Sequence, residues 1–158
     1  MATALITGAS SGIGAEFARR YAELEHDLVL AARRTDRMQL LADELTQKHG
    51  IKAKVIAADL SKPGAAEKLA SEVDVDVDVL INNSGFGHIG PFELEGIQSI
   101  ADEINVNVAA LTQLSRIYFA KMKSRGSGAI INIASTEGLG ATPGAQGAPL
   151  PGAARRDR

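Results

Sequence analysis

Residues 3–14 read TALITGASSGIG, a short β-prone run that meets a glycine-spaced turn and then an apolar pattern of helical period. This stretch limits the fold more than any other. Thr3–Thr7 has strand character, and Ile13–Leu24 carries apolar or small side chains at Ile13, Phe17, Ala18, Tyr21 and Leu24. A strand that passes through one turn into a helix must bury both faces against further layers. The chain continues in the same rhythm. Asp27–Ala32 reads as a strand, and Asp36–Lys48 as a helix with Met38, Leu41 and Leu45 on one face and Gly50 as its stop. Ile51–Ala57 is strand-like, and Pro63–Val73 is a short helix with Pro near its first turn. Asp78–Asn82 is a strand, Ser99–Lys123 one long helix, and Gly128–Ala134 an apolar strand. Strands alternating with crossover helices predict an α/β fold, a parallel sheet of about five strands covered on both faces.

At 158 residues the chain fits one domain. Its formal charge of −2 gives no electrostatic ground for a nucleic acid or membrane partner. The absence of Cys excludes disulfides and thiol chemistry. No apolar run reaches the ~18 residues of a membrane span, and Met1 leads into a strand instead of a signal peptide, so a cytoplasmic location is expected. The Asp-Val alternation from Asp74 reads as the approach to the fourth strand; a calcium loop would need a turn glycine and a closing Glu that are absent.

The turn itself has chemistry. Gly8 permits a sharp exit from the strand, Gly12 lets backbone approach a pyrophosphate, and Gly14 lets the helix pack close to the sheet. The helix N-terminus offers free N–H groups and partial positive charge, to which Ser10 and Ser11 add hydroxyls beside Ile13. The spacing is G-x-x-x-G-x-G, neither the G-x-G-x-x-G fingerprint nor a P-loop. A turn that serves chain geometry alone is the competing reading.

TGASSGIG at Thr7–Gly14, NNSG at Asn82–Gly85 and INIAS at Ile131–Ser135, in this order, resemble the short-chain dehydrogenase/reductase family over roughly residues 2–144. The resemblance implies a Rossmann-type doubly wound sheet and an NAD or NADP cofactor that exchanges hydride with a carbonyl/alcohol substrate. It also implies homo-oligomers. Where NAD-preferring relatives carry an Asp at the end of the second strand, this chain has Ala32 followed by Arg33 and Arg34. A guanidinium can hold a 2′-phosphate that a carboxylate would repel, so NADP(H) is favoured over NAD(H), with Arg33 the principal contact and Arg34 the second. By the same resemblance Asp59 and Leu60 flank the adenine. The turn containing Asn82, Ser84 and Gly85 supports the nicotinamide ribose, although tying strands together is an equal role for Asn82.

Carbonyl reduction needs a proton and a hydrogen-bond donor at the developing alkoxide. The family resemblance assigns the donor to Ser135 and a water-holding Asn to Asn107, with Asn105 as runner-up. It places a Tyr-x-x-x-Lys pair at positions that carry Ala148 and Gly152 here. Tyr21 and Tyr118 lie in predicted helices, and His26, His49 and His88 have no triad or metal spacing.

Residues 1–144 are thus expected to form an incomplete cofactor-binding domain and 145–158 an unstructured Gly/Ala/Pro/Arg-rich tail, the product of a slipped reading frame. The strand near Ala134 would then be a sheet edge with Ile130, Ile131 and Ile133 short of cover. Three readings follow: a truncated and impaired oxidoreductase, an inactive dinucleotide-binding module, and an interaction protein using the 99–123 helix.

Overall fold

Parallel strands need crossover connections, and the helical segments of this chain supply them on both sides of one sheet. The computed structural model of the protein describes residues 1–88 and 90–135. Five strands, β1 (Thr3–Thr7), β2 (Asp27–Ala32), β3 (Ala53–Ala57), β4 (Val79–Asn82) and β5 (Ala129–Asn132), pair in the order β3-β2-β1-β4-β5. Every pairing is parallel, with Leu5 opposite Val29 on one side and Leu80 on the other. The helices are α1 (Gly12–Glu23), α2 (Thr35–His49), α3 (Ala65–Glu72), α4 (Ile97–Ile104) and α5 (Leu111–Arg125).

Successive strand residues face opposite layers, and this alternation divides the core. Ala4 and Ile6 of β1 and Leu28 and Leu30 of β2 pack with Ala15, Ala18 and Ala22 of α1 and Met38, Leu41 and Leu45 of α2. Leu5, Val29 and Leu80 face the other way, onto Leu69 of α3 and Leu114, Tyr118 and Met122 of α5. Small side chains of α1 meet the sheet on one face, and the larger Leu114, Tyr118 and Met122 of α5 meet it on the other. Residues half-way along β1 are fully buried, as expected of a strand covered on both faces.

The predicted long helix needs correction. Residues 97–125 are helical, but a π-helical stretch, Asn105–Ala110, separates α4 from α5, and a 3₁₀ turn at Phe92–Leu94 precedes them. The widened turn turns two amides toward neighbouring loops: Asn105 Nδ2 donates to the Ser61 carbonyl at 2.9 Å, and Asn107 engages Phe86. Widened turns of this kind gather at functional sites. Other boundaries also shift, β5 among them, which spans Ala129–Asn132 inside the expected Gly128–Ala134. Gly64, at φ +76°, caps α3, so Pro63 lies ahead of the helix; β3 opens at Ala53 instead of Ile51, although Ile51 is buried.

The Asp-Val run is an anchor for β4. Lys54 pairs with Asp74 at 2.7 Å, while Arg125 reaches Asp76 at 3.1 Å and Asp78 at 3.3 Å. Asp78 Oδ2 also accepts the Thr3 N–H at 2.8 Å, which fixes the start of β4 beside β1. At the far end of the sheet, Ile130, Ile131 and Ile133 are half-buried against the two core layers. Residues 136–158, including the predicted tail, lie outside the described residues. Among the described residues no helix is long and apolar enough to cross a membrane, and no group of His, Cys, Asp and Glu could hold a metal ion.

Candidate functional site

The chain winds outward from β1 to β2 and β3, then crosses back to place β4 on the other side of β1. Such a switch point leaves a crevice beyond the C-terminal strand ends. A cleft of about 310 Å³ lies there, lined by Gly8, Ser10, Ser11, Ile13, Arg33 and Arg34 from the first two strand ends and by Asp59, Leu60, Ser84 and Gly85 from the next two.

The glycine turn has distinct duties at its three positions. Gly8 leaves β1 at φ +68°, and its N–H donates to the Ala31 carbonyl at 2.7 Å. Gly14 is buried so closely that an added Cβ would sit 2.4 Å from the Gly8 carbonyl oxygen and 2.5 Å from Asn83 Nδ2. Gly12, at φ +58°, has nothing within 4 Å of such a Cβ, so its backbone is open to approach. Ser11 is extended and makes no side-chain cap on α1. The first N–H groups of that helix therefore remain available at the cleft, which suits an anionic phosphate. The residues present fit a dinucleotide pyrophosphate.

Arg34 Nη2 donates to the hydroxyls of Ser10 at 3.3 Å and Ser11 at 3.2 Å. It is thus Arg34, more than Arg33, that is held beside the glycine turn. Arg33 lies among the charges near Asp59. Burial raises the Asp59 carboxyl, but hydrogen bonds from Ser61, with Lys62 and Arg33 nearby, outweigh it and hold Asp59 below the usual carboxylate range. Asp59 Oδ1 accepts from the Ser61 hydroxyl at 2.8 Å, and Leu60 is buried in the cleft wall.

The end of β4 is fastened by residues that the sequence reading passed over. Thr7 Oγ1 accepts the N–H groups of Asn83 and Ser84, each at 3.0 Å. Asn83 Nδ2 returns to the Thr7 and Gly8 carbonyls at 3.1 and 3.3 Å. The signal was present in the doubled Asn of NNSG, whose members on successive positions must face opposite ways. Asn82 indeed faces away: it is buried, and its Nδ2 donates to Ser115 at 3.0 Å and Asn132 at 2.9 Å, tying β4 to α5 and β5.

A second cavity of about 560 Å³ adjoins the cleft and is lined by Ser84, Gly85, Glu103, Asn107 and Ser135 among others. It brings together the two predicted catalytic residues, Asn107 from the π-helical stretch and Ser135 from beyond β5. Asn105 is directed to Ser61 instead. Ala148 and Gly152 lie outside the described residues.

The parallel sheet, its switch point and the glycine turn define a Rossmann-type α/β fold. The chain belongs to the short-chain dehydrogenase family: the family model for short chain dehydrogenases matches residues 2–147. The family is one of NAD(P)-dependent oxidoreductases acting on small molecules. A short chain dehydrogenase of Pseudocercospora fijiensis is 36% identical over 138 residues, covering 84% of this chain and 44% of its own. Among solved structures, the bulky-bulky ketone specific alcohol dehydrogenase from Comamonas testosteroni matches with a TM-score of 0.87 and 38% identity, over 92% of this chain and 59% of that one. A short-chain dehydrogenase from Sphingobium yanoikuyae in complex with NADPH matches with a TM-score of 0.85 and 38% identity, over 91% of this chain and 57% of that one. The chain spans roughly half the length of such relatives, 44% of the first and 59% of the second.

Proposed function

We propose that the cleft binds NADP(H) and that the adjoining cavity receives the carbonyl or alcohol partner of a hydride transfer. The observation that carries this reading is the contact of Arg34 with Ser10 and Ser11, which sets a guanidinium and two hydroxyls at the rim of the glycine turn. A planar guanidinium favours a phosphate over a bare ribose hydroxyl. The NADPH held by the Sphingobium yanoikuyae relative is consistent with the same choice. When bound, the nicotinamide supplies or accepts the hydride.

Ser135 and Asn107 share the second cavity, which supports Ser135 as donor to the substrate oxygen and Asn107 as holder of a relay water. Asp59 and Leu60 line the cleft where the adenine would lie. Ala148 and Gly152 offer neither an acid nor a cation. Loss of a positioned general acid costs about 10²–10⁴ in rate. The chain is therefore read as a dinucleotide binder with impaired chemistry. Exposed Ile104, Val108 and Phe119 support pairing of two copies along the 97–125 helix.

Titration followed by nucleotide fluorescence tests the cofactor reading. NADPH should bind tighter than NADH, and absence of NADPH binding would sink it. Carbonyl-dependent NADPH oxidation, compared between the chain and its Ala148→Tyr/Gly152→Lys variant, separates impaired enzyme from inert module.

A further inference from the structure

Among the described residues lining the second cavity, Glu103 alone carries a charge; its neighbours there are apolar side chains, glycines, serines and asparagines. Glu103 Oε2 is shut off from water and has no hydrogen-bond partner among the described residues. No ion pair among the described residues reaches it. The nearby Asp102 takes Lys62 instead, at 3.7 Å. The other oxygen, Oε1, lies 3.8 Å from where a Cβ on Gly87 would stand, so the Gly87 backbone runs beside the carboxylate and adds no side chain there. A carboxylate left without a cation in a recess has a large electrostatic demand, and a ligand can meet it.

We propose that Glu103 is a specificity-determining residue that selects carbonyl or alcohol substrates bearing a protonated amine and turns away anionic ones. This rests on the reading of the second cavity as the substrate end of the site. Oε1, the oxygen that is not shut off, accepts a charge-assisted hydrogen bond from the ammonium group, while the Ser135 end of the cavity faces the reacting oxygen. Selection has two halves: attraction of the cation, and repulsion of a carboxylate placed in the same position.

Aminoacetone, butan-2-one and acetoacetate form a near-isosteric series that differs in charge. Their dissociation constants for the full chain, read by ligand-observed NMR with NADPH present and again without it, test the proposal. Aminoacetone should bind about tenfold or more tighter than butan-2-one, the range of a charge-assisted hydrogen bond, and acetoacetate should bind weakest. In the Glu103→Gln protein the three should converge while NADPH affinity stays the same, because Glu103 does not line the cofactor cleft. Equal affinities for aminoacetone and butan-2-one in the unaltered chain would overturn the proposal, whatever the variant does. So would a preference that survives Glu103→Gln. Failure of NADPH binding with charge selection intact would instead count against the cofactor reading alone.

Discussion

Asn107 brackets the backbone of Phe86: its Nδ2 donates to the Phe86 carbonyl at 2.7 Å, and its Oδ1 accepts the Phe86 N–H at 3.1 Å. The same Oδ1 would lie 3.2 Å from a Cβ on Gly85, so this loop carries a glycine where the amide comes closest. One side chain on a widened helical turn thus fixes the loop at Phe86, which lines both the first cleft and the second cavity. Asn107→Ala should lower stability by about 1–2 kcal/mol, the worth of two lost hydrogen bonds. It should also release the Phe86 amide to hydrogen exchange. Asn107→Asp keeps the acceptor and loses the donor, so exchange at Phe86 should be slower than in the Ala variant. Unchanged Phe86 protection in Asn107→Ala would show that the loop is held by something else.

Arg34 should govern nucleotide choice. Its two bonds to Ser10 and Ser11 position the guanidinium, and removing a charged hydrogen bond costs about 1.5–3 kcal/mol. Arg34→Ala should therefore weaken NADPH binding by about ten- to a hundredfold and leave NADH nearly unchanged. Arg33→Ala should have the smaller effect. A larger loss from Arg33 than from Arg34 would instead bear out the order expected from sequence.

Much of this was legible in the chain. The β1 and β2 boundaries follow from apolar runs closed by Gly8 and by charged residues, and Gly50 ends α2 in the left-handed conformation that made it a readable stop. Motif order was sufficient to put Asn107 and Ser135 at one cavity. What escaped depended on direction in space. Nothing in the linear pattern says that Asn105 turns to Ser61 while Asn107 turns to Phe86, because an inserted residue in a helix shifts phase without interrupting the apolar rhythm. The Thr7–Asn83 fastening joins residues far apart in sequence, and Glu103 was hidden because its isolation is a property of its surroundings.

Gly14 and Gly12 should respond very differently to alanine. At Gly14 the methyl group would enter the space of the Gly8 carbonyl, which cannot swing aside as a flexible side-chain end could. Overpacking of this kind costs about 1–3 kcal/mol or more, and moving Gly8 would also disturb the glycine turn. At Gly12 there is room, and the cost is confined to the φ of +58°, about 1–2 kcal/mol for a residue with a Cβ. Urea unfolding of the two variants should give a clearly lower midpoint for Gly14→Ala. Equal midpoints would contradict the close packing.

Tyr118 should make the chain sensitive to alkali. It is buried between α5 and the sheet, its hydroxyl has no hydrogen-bond partner among the described residues, and burial pushes its pKa up to about 12. The unfolded phenol titrates near 10.0. Above that value the unfolded chain releases a proton that the folded chain retains, so folding stability falls as pH rises from about 10 toward 12. Below 10 both states are protonated and the phenol contributes no pH dependence. Tyr118→Phe removes both the titration and the unpartnered hydroxyl while keeping the ring beneath the Lys121 ammonium, which lies 5.1 Å from its centroid. Because replacing a buried polar group that has no partner is neutral to stabilising, Tyr118→Phe should be at least as stable as the parent at pH 7. Its advantage should widen above pH 10. Thermal unfolding across pH 7–11 measures this, and a parallel decline of the two proteins in the alkaline range would locate the sensitivity elsewhere.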